Sequence, residues 1–93
     1  PSTFSLAQNY PNPFNPMTTI GYEIAASATG GLAMTRLVVY DLLGQEVATL
    51  VNEVRPAGSY EVQFDASQLP SGVYIYRLQA GSFTATNKMM LLR

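Results

Sequence analysis

Three prolines crowded into Gln8-Asn9-Tyr10-Pro11-Asn12-Pro13-Phe14-Asn15-Pro16 exclude an ordinary helix or a central strand near the start of this chain. Each proline fixes its own φ and has no backbone donor. Each also pushes the residue before it (Tyr10, Asn12, Asn15) toward extended geometry. Residues 1–17 therefore read as a stiff, kinked lead-in, with Tyr10 and Phe14 available to plug apolar sites on the remainder of the chain.

That remainder is strand-patterned. Residues 18–24 alternate, with Ile20, Tyr22 and Ile24 on one face, the period of a half-buried strand. Residues 25–34 are small and contain Gly30-Gly31, which reads as a flexible connection. Thr35 to Asp41 is apolar on both faces, as a central strand is. Gly44 can supply a positive φ for a turn, and Glu46 to Val51 returns as a third strand. Pro56-Ala57-Gly58 punctuates the chain, and Gly58 to Asp65 alternates again with Tyr60, Val62 and Phe64 inward.

Residues 65–74 read as a sandwich corner. Asp65 or Ser67 would cap a single helical turn, Leu69 would tuck beneath it, and Gly72 would let the chain swing tightly into the next strand. Tyr74 stands where a tyrosine corner sits, its hydroxyl able to bond nearby backbone. Val73 to Ala80, a Gly81-Ser82 turn and Phe83 to Leu92 complete the pattern. With Phe4–Leu6 as a candidate seventh strand and no helix of useful length, the expectation is all-β: an immunoglobulin-like antiparallel β-sandwich of about seven strands, in a single domain spanning 1–93 with its sandwich at 18–93.

Composition narrows the function. The 47% hydrophobic content and ten aromatics can fill one modest core without staples. No histidine or cysteine exists to serve a serine nucleophile, bridge a fold or bind zinc. Arg36, Arg55, Arg77, Lys88 and Arg93 are scattered along a chain of net charge −1, which argues against a nucleic-acid surface. Most of the six carboxylates, Glu23, Asp41, Glu46, Glu53, Glu61 and Asp65, fall on solvent faces or turns, where solubility and capping explain them better than paired acid–base chemistry. Asn9, Asn12, Asn15, Asp41 and Asp65 could lend oxygens to calcium, but they lack EF-hand spacing and asparagine beside proline is a turn former. The expectation is a non-enzymatic module without a cofactor. No apolar run reaches transmembrane length. No signal peptide is visible, and the start at Pro1 points to a segment of a longer polypeptide.

LAQNYPNPFNP at 6–16, TTIGYEI at 18–24, LVVYDLLGQEVATLV at 37–51, AGSYEVQFDASQLPSGVYIYRLQAG at 57–81 and KMMLLR at 88–93 form an ordered series over nearly the whole chain. The series resembles the type A C-terminal sorting domain of the bacterial type IX secretion system. The connection at 25–34 departs from that family, which has a shorter, proline-containing link here. The resemblance implies a label at the end of a larger exported protein, crossing the periplasm and recognised in folded form by the outer-membrane machinery. It further implies that a cell-surface sortase cuts at or before Pro1 and that the cargo ends at the cell surface, where it is typically attached, or outside the cell.

The two ends carry the candidate recognition and structural residues. In Lys88-Met89-Met90-Leu91-Leu92-Arg93, an outward face or an open edge would meet a partner, with Lys88 and Arg93 as gatekeepers against aggregation. Alternatively these residues simply close the sandwich. Tyr10, Pro11, Asn12, Pro13, Phe14, Asn15 and Pro16 would staple the N-terminal edge, with Asp65, Leu69, Gly72 and Tyr74 shaping the corner. The alternatives are an accessory module that holds a secreted enzyme on polysaccharide through exposed tyrosines, and a purely structural immunoglobulin-like module similar to that of flagellar hook-capping proteins.

Overall fold

A computed structural model describes residues 1–26 and 31–93. Seven strands succeed one another: β1 (Ser5–Leu6), β2 (Met17–Ile24), β3 (Leu32–Tyr40), β4 (Glu46–Pro56), β5 (Gly58–Asp65), β6 (Gly72–Ala80) and β7 (Phe83–Leu91). They form two antiparallel sheets, ordered β1-β2-β5 and β4-β3-β6-β7. The immunoglobulin-like sandwich expected from the alternation is the fold found. Unlike a constant-type domain, the fourth strand lies beside the third rather than on the opposite sheet.

The period-two pattern decides which side chains meet between the sheets. Ile20, Tyr22, Ile24 and Phe64 come from the first sheet; Leu37, Val39, Tyr74, Tyr76, Leu78, Met89 and Leu91 come from the second. Tyr22 stacks on Tyr60 with ring centroids 5.3 Å apart, one cross-strand aromatic pair on the inner face. At the open end, Phe4 stacks on Phe83 at 5.3 Å, tying the start of the chain to the last hairpin.

Three local expectations need correction. Leu32, Ala33 and Met34 do not belong to a flexible connection; they extend β3 and pair with Pro56, Arg55 and Val54 of β4. Leu32 and Met34 point to solvent, so no inward alternation marked them as strand. Residues 27–30 of that expected connection lie outside the described residues. Second, the corner holds no helical turn. Asp65 accepts a hydrogen bond from the Ser67 amide (2.9 Å), and a reverse turn closes from the Leu69 amide to the Ala66 carbonyl (3.0 Å). Third, Tyr10 plugs nothing and is 81% exposed. Its backbone bridges Thr19, and directly opposed residues in an antiparallel pair share a face. Thr19 faces outward between buried Thr18 and Ile20, so Tyr10 does too.

Candidate functional site

The second sheet ends at β7, and an edge strand leaves backbone groups without partners on its open side. The proline-rich segment supplies them. Phe14 donates its amide to the Met90 carbonyl (2.9 Å) and accepts from the Leu92 amide (3.0 Å), a short parallel bridge. Asn12 Oδ1 accepts from the Met90 amide (3.0 Å), and Gln8 Nε2 donates to the Lys88 carbonyl (2.7 Å). The prolines between these residues need no amide partner, so a proline-rich strap can run here without orphaned donors. The open edge that was one reading of Lys88–Leu92 is therefore closed by the chain itself.

Phe14 anchors the strap. Its ring is buried and meets Phe64 at 6.1 Å between centroids, tilted by 54°. Burying a phenylalanine contributes about 2–3 kcal/mol, enough to hold a strap with few other apolar contacts. Exposed Asn15 makes no such contact, while the Pro16 carbonyl accepts from the Ala66 amide (2.8 Å) and fixes the strap to the corner.

A polar hub fixes the other end of the strap. The Tyr76 hydroxyl, on a fully buried ring, donates to the Ala7 carbonyl (2.7 Å) and accepts from the Asn9 amide (2.8 Å) and from Asn87 Nδ2 (3.3 Å). Burial pushes its pKa above the ordinary tyrosine value, with the hydrogen bonds from Asn87 and the Asn9 backbone opposing the shift. Asn9 is itself buried, and its Nδ2 donates to the Pro11 carbonyl and to Thr18 Oγ1 at 3.2 and 3.0 Å. The sequence favours core packing for Tyr76 over sugar stacking, and a turn for Asn9 over a calcium ligand. An asparagine immediately before Tyr-Pro was the signal available, but its partner lies 67 residues away.

The corner is fastened from both sides. Tyr74 donates its hydroxyl to the Pro70 carbonyl (2.7 Å), four residues back, in the manner of a tyrosine corner. Tyr60 does the same to the Pro56 carbonyl (2.6 Å). Both tyrosines belong to a Pro-x-Gly-x-Tyr pattern, PAGSY at 56–60 and PSGVY at 70–74, and the first copy is a legible signal that alternation alone passes over. Gly72 takes a φ of +154° there, a region that favours glycine, and Leu69 packs partly buried against the core. Arg93 completes the clamp. Its guanidinium donates to the carbonyls of Leu69 (2.7 Å), Ala66 (2.8 Å) and Ser67, and its amide donates to Ser71 Oγ (2.9 Å). The fork geometry of arginine suits several acceptors at once.

With strap, hub and clamp in place, the last strand alternates strictly. Met89 and Leu91 are buried in the core, whereas Lys88, Met90 and Leu92 face outward. Four of the five side chains considered for calcium have an oxygen turned to another use. Asn9 Oδ1 accepts from Gln8, Asn12 Oδ1 from Met90, Asp41 Oδ1 from Leu43 and Gln45, and Asp65 Oδ1 from Ser67.

A family model described as "Secretion system C-terminal sorting domain" matches residues 8–92. The chain belongs to that family. The match begins at Gln8, whose side chain bonds the Lys88 carbonyl of β7, and ends at Leu92, whose amide bonds the strap. Comparison with curated proteins and with solved structures finds no match. The sorting domain thus combines a type IX export signal with a fold in which its two end segments bind each other. No helix among the described residues is long and apolar enough to cross a membrane.

Proposed function

We propose that this sorting domain is a folded address. It is carried at the C-terminal end of a larger protein through the periplasm and read by the type IX machinery. A surface sortase then cuts upstream of the strap, leaving the cargo attached to the cell surface. The domain itself performs no catalysis. One observation carries the reading: the strap and the Arg93 clamp immobilise the last strand, so Lys88, Met90 and Leu92 are displayed at fixed positions on a folded body. Fixed display suits recognition, because little ordering entropy remains to be lost on binding.

The polysaccharide-binding alternative lacks its platform. Tyr22, Tyr74 and Tyr76 are buried and Tyr40 and Tyr60 half-buried, which leaves Tyr10 as the one freely exposed tyrosine. The deciding experiment fuses residues 1–93 to a periplasm-tolerant reporter. Export is expected only in cells with an intact type IX apparatus, with cleavage between reporter and domain. Equal export by cells lacking the apparatus refutes the proposal.

A further inference from the structure

The turn between β3 and β4 is built with more hydrogen bonds than a simple link needs. Asp41 Oδ1 accepts from the amides of Leu43 (2.9 Å) and Gln45 (3.0 Å). The Asp41 amide donates to the Gln45 carbonyl (3.0 Å), and Gly44, at φ +84°, donates to the Asp41 carbonyl (3.0 Å). This rigid turn holds Leu42 and Leu43 in water at 65% and 86% exposure. Neither leucine contributes to the core.

The leucines stand at the end of a continuous band on the outer face of the four-stranded sheet. Beside them lies a shallow depression of about 280 Å³ lined by Tyr40, Asp41, Leu42, Gly44, Ile75, Arg77 and Thr86. Tyr40 pairs with Ile75, Ile75 with Lys88, and Val73 with Met90. The band therefore runs from the turn to the outward residues of the last strand. Its free charge is mainly cationic: Asp41 also lines the depression, but its Oδ1 is taken up by the Leu43 and Gln45 amides. Arg77 bonds only the Tyr40 hydroxyl (2.9 Å), and neither Arg77 nor Lys88 is ion-paired among the described residues.

We infer that this band, centred on Leu42, Leu43 and the depression beside them, is the surface by which the export machinery grips the domain, and that its partner is a protein presenting an apolar patch flanked by carboxylates. The inference rests on the sorting reading and adds a place and a chemistry to it. Charge complementarity selects the occupant. Two cations beside exposed leucines and a methionine call for carboxylates around an apolar patch, whereas lipid-surface recognition draws on clusters of about four to eight basic residues. A second copy of the chain exposes Leu32, Met34 and Val54, but the carboxylates of that strand pair, Glu46 and Glu53, are already paired with Arg36 and Arg55 at 2.8 and 2.7 Å.

The test is export of the 1–93 reporter fusion, with the purified 93-residue chain melted in parallel. Leu42→Ser combined with Leu43→Ser, and separately Thr86→Glu, should each lower export at least tenfold without moving the melting temperature. Lys88→Glu should do the same, and Lys88→Gln should lower export less than Lys88→Glu. Gln63→Lys, on the opposite sheet, should export normally. Normal export of the leucine and Thr86 variants overturns the inference while leaving the sorting reading intact; failure of the unaltered fusion to use the apparatus overturns both. Two further results overturn it by naming another occupant: a dimer in sedimentation that the leucine variant makes monomeric, or co-sedimentation with phosphatidylglycerol vesicles that the same variant abolishes.

Discussion

Replacing Tyr76 by phenylalanine removes one oxygen and keeps the ring that fills the core, so its cost measures the polar hub alone. The Asn9 amide, held at 2.8 Å by that oxygen, is left in a buried residue without a partner. Orphaning a buried donor costs about 1–3 kcal/mol. The Ala7 carbonyl fares better, because Asn87 Nδ2 also reaches it at 3.2 Å and the residue is exposed to water. The net expectation is a loss of about 2 kcal/mol, and in a domain of this size each kcal/mol moves the melting temperature by about 4–8 °C. Tyr76→Phe should therefore melt about 8–16 °C below the parent. In urea the midpoint should fall with an unchanged m-value, since the same surface is buried. Tyr74→Phe is the internal comparison: its hydroxyl serves one carbonyl at the domain surface and should cost about 1 kcal/mol. A Tyr76 variant within about 0.5 kcal/mol of the parent, an ordinary surface effect, refutes the account of the hub. So does a Tyr74 variant that costs more.

Phe14→Ala should destabilise by about 3–5 kcal/mol, read by urea titration, with faster hydrogen exchange at the Met90 and Leu92 amides that the strap protects. Arg93→Ala should cost about 1 kcal/mol in the same titration, since its guanidinium bonds are partly solvated, and Arg93→Lys should recover little because an ammonium cannot span the three carbonyls. Burial raises the pKa of both Tyr22 and Tyr76 from the ordinary value of 10.0. The folded state therefore holds these protons more tightly than the unfolded chain, and the stability this represents is complete below about pH 10 and lost as pH rises through the folded values. Urea melts at rising alkaline pH should show that decline, and Tyr76→Phe should make it shallower.

How much of the molecule was legible depends on where each residue's partner lies. Strands β2, β5, β6 and β7 were readable because one face of each is in the core, so Ile20, Tyr60, Tyr76 or Met89 announces its neighbours two residues away. The far end of the β3–β4 pair was not, because Leu32 and Met34 face water and their pairing with Pro56 and Val54 leaves no inward period. Phe14 could be read as a plug from its chemistry alone. Tyr10 looks equivalent on paper, and only its pairing with Thr19 turns it outward. The hub was invisible because its members, Ala7, Asn9, Tyr76 and Asn87, span nearly the whole chain. No local pattern encodes a contact across such distances.

Closure of the β7 edge changes what can be read from the final strand. An open edge is recognised mainly through its backbone, with side chains adding specificity; here the Lys88 carbonyl, both backbone groups of Met90 and the Leu92 amide already have partners within the chain. A partner strand could pair with them only after the strap had left, which means withdrawing Phe14 from the core and breaking the hub. That route would expose one of the largest fully buried side chains in the domain. Side chains remain: Lys88, Met90 and Leu92 stand outward, with Lys88 and Met90 in register with Ile75 and Val73. The end segments bind each other, so the proposed recognition falls to a face rather than an edge, and that face exists only once the sandwich has folded.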